Sequence, residues 1–267
     1  MLGRRLLTAA ILIPLALAGL FLCSNRVWGW AAGGAIIVAA YEWGRLARWR
    51  AFGRSLFIVV VALSLLLLLS AEPELLLVRP WIWAAAASLW IFVVMPWLVR
   101  QWHPKSPWIW SAAGWWVLVP AWLAAYALQR HPAQLLAVMA IVWIADTGAY
   151  FAGRRFGRRK LAPSISPGKT WEGVVGATVC VVLYCTVLHA VRPGLLPGPS
   201  FAVVVALGLG LLLLSIVGDL FESWMKREAG VKDSGGILPG HGGILDRIDS
   251  LTASLPAAAL AIHLAGR

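Results

Sequence analysis

The sequence predicts an all-α, polytopic integral membrane protein of about nine transmembrane helices, and three observations carry that prediction. Of its 267 residues, 61% are hydrophobic and 13% charged, and the mean hydropathy is +0.81. Soluble domains carry about 25% charged residues, so roughly half the usual charge is missing. Apolar runs of near-spanning length recur from end to end, and segments that long imply helices that satisfy their own backbone rather than a barrel. Seventeen tryptophans fit the same picture, because indole rings favour the membrane interface.

The spans fall at about 6–22, 27–44, 55–71, 80–99, 108–128, 133–152, 172–191, 200–224 and 245–265. Arg4 and Arg5 before the first run resemble a signal peptide, but no A-x-A site follows, so the run is expected to be retained. Short connections with Pro or Gly separate most spans, as at Glu72-Pro73, His103-Pro104 and Arg192-Pro193-Gly194. With neither an internal repeat nor a soluble linker, residues 1–267 read as one membrane domain. Within it, 1–130 hold helices without an assignable motif, and 131–267 hold the catalytic helices and cytoplasmic loops. Cys23, Cys180 and Cys185 lie in or beside apolar runs without CxxC spacing, and read as small apolar fillers.

A net charge of +12 would suit nucleic acid, but its distribution argues for membrane topology instead. With a cytoplasmic N-terminus, 18 basic residues fall on inside segments and only Arg26, Arg79, Arg130, Arg192 and Arg267 outside. That bias orients membrane proteins. It places both highly polar loops, 153–171 and 225–244, in the cytoplasm.

Acidic residues are scarce, and several lie in or at the ends of spans, where a carboxylate costs about 2.5–3.5 kcal/mol at a helix centre and so usually faces a polar cavity. For Glu42, three residues before Arg45, an interfacial ion pair explains it as well as function does. Asp146 and Asp219 are harder to explain that way. The sixth span ends as Asp146-Thr147-Gly148-Ala149-Tyr150, which puts Asp146 and Tyr150 on one helical face. The loop after it, RRFGRRKLAPSISPGKTWEG, combines a basic run with Ser164, Ser166, Gly168, Lys169 and Thr170. Its Gly-Lys-Thr is not a Walker site, since Pro163 stands where the first glycine is required and no strand is expected before it. A cationic loop with hydroxyls remains, suited to a polyphosphate.

The densest chemistry lies between Ser223 and Asp249, SWMKREAGVKDSGGILPGHGGILDRID. Asp219, Glu222, Ser223 and Lys226 follow at i, i+3, i+4 and i+7, and so share a face at the end of the eighth span. Asp246 and Asp249 share a face at the start of the ninth. Two carboxylate-bearing faces joined by a glycine-rich loop suit a hard divalent cation, and Mg²⁺ typically takes one or two carboxylates plus phosphates and water. Gly240, Gly242 and Gly243 allow close backbone approach to a phosphate, next to a helix N-terminus whose free N–H groups favour anions. Lys226, Arg227, Lys232 and Arg247 supply positive charge, and His241 stands between glycines as a hydrogen-bond donor.

The pattern Ser223-x2-Lys226-Arg227-x4-Lys232-Asp233, then Pro239-x-His241-Gly242-Gly243-x2-Asp246-Arg247-x-Asp249, resembles the signature of the phosphatidate cytidylyltransferases, or CDP-diacylglycerol synthases. The stretches DTGAYFAGRRFG and SPGKTWEG resemble that family as well. The likeness covers the C-terminal half by motif and the N-terminal half only by hydropathy. It implies that CTP and phosphatidate give CDP-diacylglycerol and pyrophosphate with Mg²⁺, at a bacterial inner membrane and on its cytoplasmic face. On this reading Asp219 and Asp246 hold Mg²⁺, and Asp249 is a further ligand or supports them from behind. Lys226, Arg227, Lys232 and Arg247 neutralise phosphates, and Ser223 and His241 donate hydrogen bonds. Gly242 and Gly243 approach the substrate, while Asp146, Ser166, Lys169 and Thr170 serve the nucleotide side. A second cation is compatible with this set, membrane lipid surrounds it, and a homodimer is the candidate assembly.

Rival readings are a CTP-dependent lipid kinase and an ion-coupled transporter. The transporter would place its acids near mid-membrane in corresponding halves, whereas here they gather at one face of the last two spans. A CDP-alcohol phosphotransferase requires a D-G-x2-A-R-x8-G-x3-D-x3-D pattern that this sequence lacks.

Overall fold

The fold is seen in a computed structural model that describes residues 10, 14–71, 78–196, 198, 200–237, 240 and 242–266. Eight long helices account for almost all of it: α1 Asn25–Leu46, α2 Ala51–Ser70, α3 Arg79–Arg100, α4 Pro107–Leu128, α5 Pro132–Phe156, α6 Trp171–Val191, α7 Phe201–Glu228 and α8 Leu245–Ala265. All but α1 are long and apolar enough to cross a membrane. Residues 14–22 are also helical, but much of the expected first span lies outside the described residues. The all-α expectation therefore holds, with seven membrane-crossing candidates among the described residues against nine spans expected for the chain.

Helix boundaries follow local chemistry. Ser24 accepts from the N–H of Val27 and caps α1, and prolines open α4 and α5 at their first turns, where a missing N–H costs nothing. Helix α3 loosens into a π-helical turn over Trp90–Val94, one residue before Met95-Pro96, since Pro96 cannot donate to the ladder.

Packing in the absence of a hydrophobic drive relies on close fit. The α5–α6 seam is lined by small residues, and a Cβ on Gly173 would fall 2.9 Å from the Ala149 carbonyl. The opposite face of α6 is an exposed stripe of Val175, Val179, Leu183, Val187 and Val191, four residues apart, as a lipid-facing surface should be. Helix α8 is the central strut, packing on α7, α4, α3, α5 and α1. Every residue from Ser250 to Pro256 is buried. Two of its buried hydroxyls are satisfied within the helix, Thr252 donating to the Asp249 carbonyl and Ser254 to that of Ser250.

One element departs from the helical expectation. The loop after α5 contains an antiparallel hairpin, β1 Lys160–Ala162 with β2 Ser166–Thr170. Its register slips between Lys160 and Ala162, because β2 carries Pro167 and Gly168, which interrupt a regular ladder.

Candidate active site

The polar face of α7 is real, and the side chains behind it hold it in place. Phe221 and Trp224 point the other way, into an aromatic cluster with Trp97 of α3 and Trp110 of α4, where Trp110 and Trp224 stack at 5.7 Å. Arg48 donates to the Glu228 carbonyl at the C-terminus of α7, and His103 contacts the Glu228 carboxylate at 2.7 Å. With that side fixed, Asp219, Glu222, Ser223 and Lys226 are turned towards α8 and the hairpin.

Two linked carboxylate centres result. At the first, Lys169 on β2 pairs with Asp219 Oδ2 at 2.6 Å, and the Ser223 hydroxyl donates to Asp219 Oδ1 at 3.2 Å. At the second, Lys226 Nζ lies between Glu222 Oε2 at 2.5 Å and Asp246 Oδ1 at 2.6 Å. The other oxygen of Asp246 accepts from the backbone N–H and hydroxyl of Ser234 and from the Gly243 N–H, at 2.8–2.9 Å. Asp246 thus ties the glycine-rich loop to α8 while also meeting the Lys226 ammonium. Asp249 and Asp146 stand between the centres. Asp249 Oδ1 accepts from the Ser250 N–H at 2.6 Å, and Asp146 shares a hydrogen bond with the Ser250 side chain.

A cavity of about 790 Å³ opens beside this array, bounded by α5, the hairpin, α6, α7 and α8. It brings together Asp146, Asp219, Asp246 and Asp249 with Ser166, Lys169, Thr170 and Arg247 from the expected set. Tyr150, Arg154 and Lys160 line it as well, cationic or hydroxylic groups that sequence reasoning left unassigned. A larger groove of about 1100 Å³ lies elsewhere along α5 and α6, but its walls are apolar except near Arg155 and Glu172. Convergent polar groups mark the smaller cavity as the chemical one.

Other expected site residues have more structural partners. The Thr170 hydroxyl accepts from the Gly173 N–H at 3.1 Å and caps α6, so it shapes the cavity wall as a helix cap. Arg227 donates through Nε to the Ile165 carbonyl and fastens α7 to the hairpin turn. Lys232 is exposed on the glycine-rich loop and does not line the cavity. Gly242 and Gly243 sit against Asp246, with Gly242 at φ +80°, a conformation that only glycine adopts cheaply. His241 lies outside the described residues, as does Pro239.

Glu42 departs from the ion-pair reading with Arg45. It is fully buried, and its carboxylate accepts from the N–H groups of Ile244 and Leu245 and from the Ser234 hydroxyl. Nothing local in the sequence signals this, because the partners lie about 200 residues away; a carboxylate within an apolar helix was the only hint. The hairpin was missed for a different reason: Pro167 and Gly168 read as loop punctuation, although Glu172 holds its entry by accepting from the N–H groups of Arg158 and Arg159.

The donor chemistry fits a hard cation. Asp146, Asp219 and Asp249 present oxygens to one cavity with a single bonded ammonium, Lys169, among them. Among the described residues, Glu222 Oε1 is buried beside this array without a hydrogen-bond partner, an acceptor that a cation would satisfy. Among the described residues, no three His, Cys, Asp or Glu side chains are placed to hold a metal ion by themselves, so an ion here would draw most of its shell from elsewhere. That suits an ion such as Mg²⁺, which completes its shell with water and phosphate oxygens.

Comparison with known proteins adds the lineage. The profile described as "Cytidylyltransferase family" matches residues 3–265. A Pseudomonas aeruginosa phosphatidate cytidylyltransferase is 40% identical, the match covering 100% of this chain and 98% of the relative. The Haemophilus influenzae protein of the same name is 35% identical over 96% of each chain. A Bacillus subtilis namesake is 47% identical over 43% of this chain and 42% of its own. With the profile running nearly end to end and two relatives matched over almost their whole length, this chain belongs to the cytidylyltransferase family.

Proposed function

We propose that the protein transfers a cytidylyl group from CTP to phosphatidate, giving CDP-diacylglycerol and pyrophosphate for phospholipid synthesis. The observation that carries this reading is the single cavity in which carboxylates from α5, α7 and α8 meet a cationic hairpin, in a chain related end to end to phosphatidate cytidylyltransferases. Chemically, a phosphatidate phosphate oxygen attacks the α-phosphorus of CTP. One P–O bond forms, the bond to the β-phosphate breaks, and pyrophosphate carries away the electron pair. The nucleophile is already anionic at neutral pH, so no general base is needed. The barrier is the meeting of two anions and the support of the leaving group, which positioning and electrostatics must lower.

In this proposal Lys169, Arg247 and the rim residues Arg154 and Lys160 neutralise phosphate charge within the cavity. Lys226 orients Asp246, and Ser223 orients Asp219. Arg227 fixes the hairpin against α7, while Lys232, His241, Gly242 and Gly243 contribute from the glycine-rich loop. Asp146, Ser166 and Thr170 shape the nucleotide side. Asp219 and Asp249, with Asp246 through the oxygen it shares with Lys226, would hold Mg²⁺, and a second cation is compatible with the same set of carboxylates. Bound there, the ion neutralises the CTP phosphates and polarises the α-phosphorus. The positive-inside bias supports a multi-pass protein of the inner membrane whose site faces the cytoplasm, where CTP is available. A homodimer is the proposed assembly.

The test is incubation of purified protein with labelled CTP, phosphatidate and Mg²⁺. Labelled CDP-diacylglycerol is expected, together with loss of product on chelation and its return with added Mg²⁺. Pyrophosphate release without phosphatidate, or the absence of lipid product, would sink the reading. Full Mg²⁺-dependent activity in folded Asp219→Asn and Asp246→Asn would remove the metal assignment alone.

A further inference from the structure

We infer that Glu42, in the half of the chain without motifs, is a positioning residue for the reaction. It sets the glycine-rich loop and, through Ser234, the carboxylate of Asp246. The inference rests on the proposed function for what is catalysed, but its geometry stands apart from that reading. The start of α8 needs an acceptor, because the first N–H groups of a helix have no partner in the helix itself. Its own cap position, Ile244, has no side chain able to serve. Glu42 reaches across from α1 instead, Oε1 accepting from Ile244 N–H at 3.2 Å and Oε2 from Leu245 N–H at 2.8 Å. A carboxylate at a helix N-terminus is also favoured by the helix dipole.

The same Oε2 lies 3.2 Å from the Ser234 hydroxyl, which is 2.8 Å from Asp246 Oδ2. A continuous chain therefore runs from Glu42 through Ser234 to Asp246 and on to Lys226. The loop is shaped around it. A Cβ on either Gly235 or Gly243 would collide with the Glu42 carboxylate, so glycine at both ends lets the backbone close over the buried side chain. Among the described residues, the Ile244 and Leu245 N–H groups both donate to the carboxylate, and the Ser234 hydroxyl shares its one proton between Glu42 and Asp246. An amide in its place would set an NH₂ group against backbone N–H groups, leaving one unpaired inside the protein. That requirement for an anion, rather than for bulk, separates Glu42 from a packing residue. Because it touches no cavity-lining surface itself, its effect on catalysis passes through Ser234, Asp246 and the loop.

The experiment compares Glu42→Gln, Glu42→Asp, Ser234→Ala and the Glu42→Gln/Ser234→Ala double variant with the wild type. Steady-state kinetics, melting temperature and the rate of tryptic cleavage after Lys232, read by mass spectrometry, are measured on each. Loss of positioning by about an ångström can cost about 100-fold, so Glu42→Gln is expected to lower kcat by about 10–100-fold. Cleavage after Lys232 should accelerate more than at other exposed basic sites, and Glu42→Asp should recover part of kcat. The double variant should be little worse than Glu42→Gln, since both substitutions break one chain. If Glu42→Gln does not fold, Ser234→Ala decides: a lower kcat with faster Lys232 cleavage supports the inference. Wild-type kcat and Lys232 cleavage in Ser234→Ala would overturn it, as would additive effects in the double variant. Should wild-type protein make no CDP-diacylglycerol, the proposed function fails, while the cleavage and coupling measurements still judge the role of Glu42.

Discussion

Two segments border the cavity and differ in what holds them. The hairpin of 157–170 is held by neighbours in sequence: its own ladder, Trp171 N–H on the Arg159 carbonyl, Thr170 capping α6, and Glu172 gathering Arg158 and Arg159. Its longer ties are Gln101 to Ser164 and Arg227 to Ile165 at the turn and Lys169 to Asp219 on β2. The glycine-rich segment of 229–244 forms no strand of its own among the described residues. Its described part is pinned by carboxylates on other elements, Glu42 on α1 and Asp246 on α8. A segment held by its neighbours loses only its own groups when damaged. One held at a distance also disturbs the elements that hold it, and here those include the central helix α8.

The contrast orders the expected effects. The largest should come from Asp246→Asn, which breaks the tie to Ser234 and Gly243 and weakens that to Lys226; kcat should fall by about 100-fold or more. Near-normal turnover would show that the glycine-rich segment holds itself. Next comes Lys169→Gln on the hairpin, which removes one charged contact without unpinning either segment. Charged hydrogen bonds are worth about 1.5–3 kcal/mol, so a rise of about 10- to 100-fold in KM for CTP is expected with kcat less affected. If kcat falls instead and KM holds, Lys169 serves the transition state and the contrast narrows.

Thr170→Ala should act on stability before activity. Loss of an N-cap costs about 1 kcal/mol, visible as a drop of a few degrees in the melting temperature, with little change in kcat. The smallest effect should be that of Glu172→Gln, whose carboxylate is exposed and local; a slightly more protease-sensitive 157–160 segment is the expected result. A strong loss of activity there would mean that the hairpin, too, is coupled to the centre of the molecule.

The difference between these segments also explains what could be read in advance. Asp219, Ser223 and Lys226 were assigned to one face by spacing alone, and they share it, because a helix converts sequence distance into direction. Asp246 and Asp249 at the next helix start followed from the same rule. Their partners did not. Lys226 and Asp246 read as a phosphate ligand and a metal ligand, yet they contact each other at 2.6 Å. Lys169 is likewise bonded to Asp219, although the two sit on different elements 50 residues apart. At Glu42 the sequence fits an ion pair and a functional role equally well, and its partners lie across the bundle.

By itself the sequence determined the helical membrane class, the cytidylyltransferase signature and which residues carry its charge, since hydropathy, helical spacing and motif are local properties of the chain. Only the tertiary structure decided which carboxylates meet which ammonium groups, that the polar loop after α5 pairs into a hairpin, and that a buried acid of α1 caps α8. Those outcomes depend on helix packing, where burial obliges every charge and free N–H to find a partner, and the nearest partner in space is often remote in sequence.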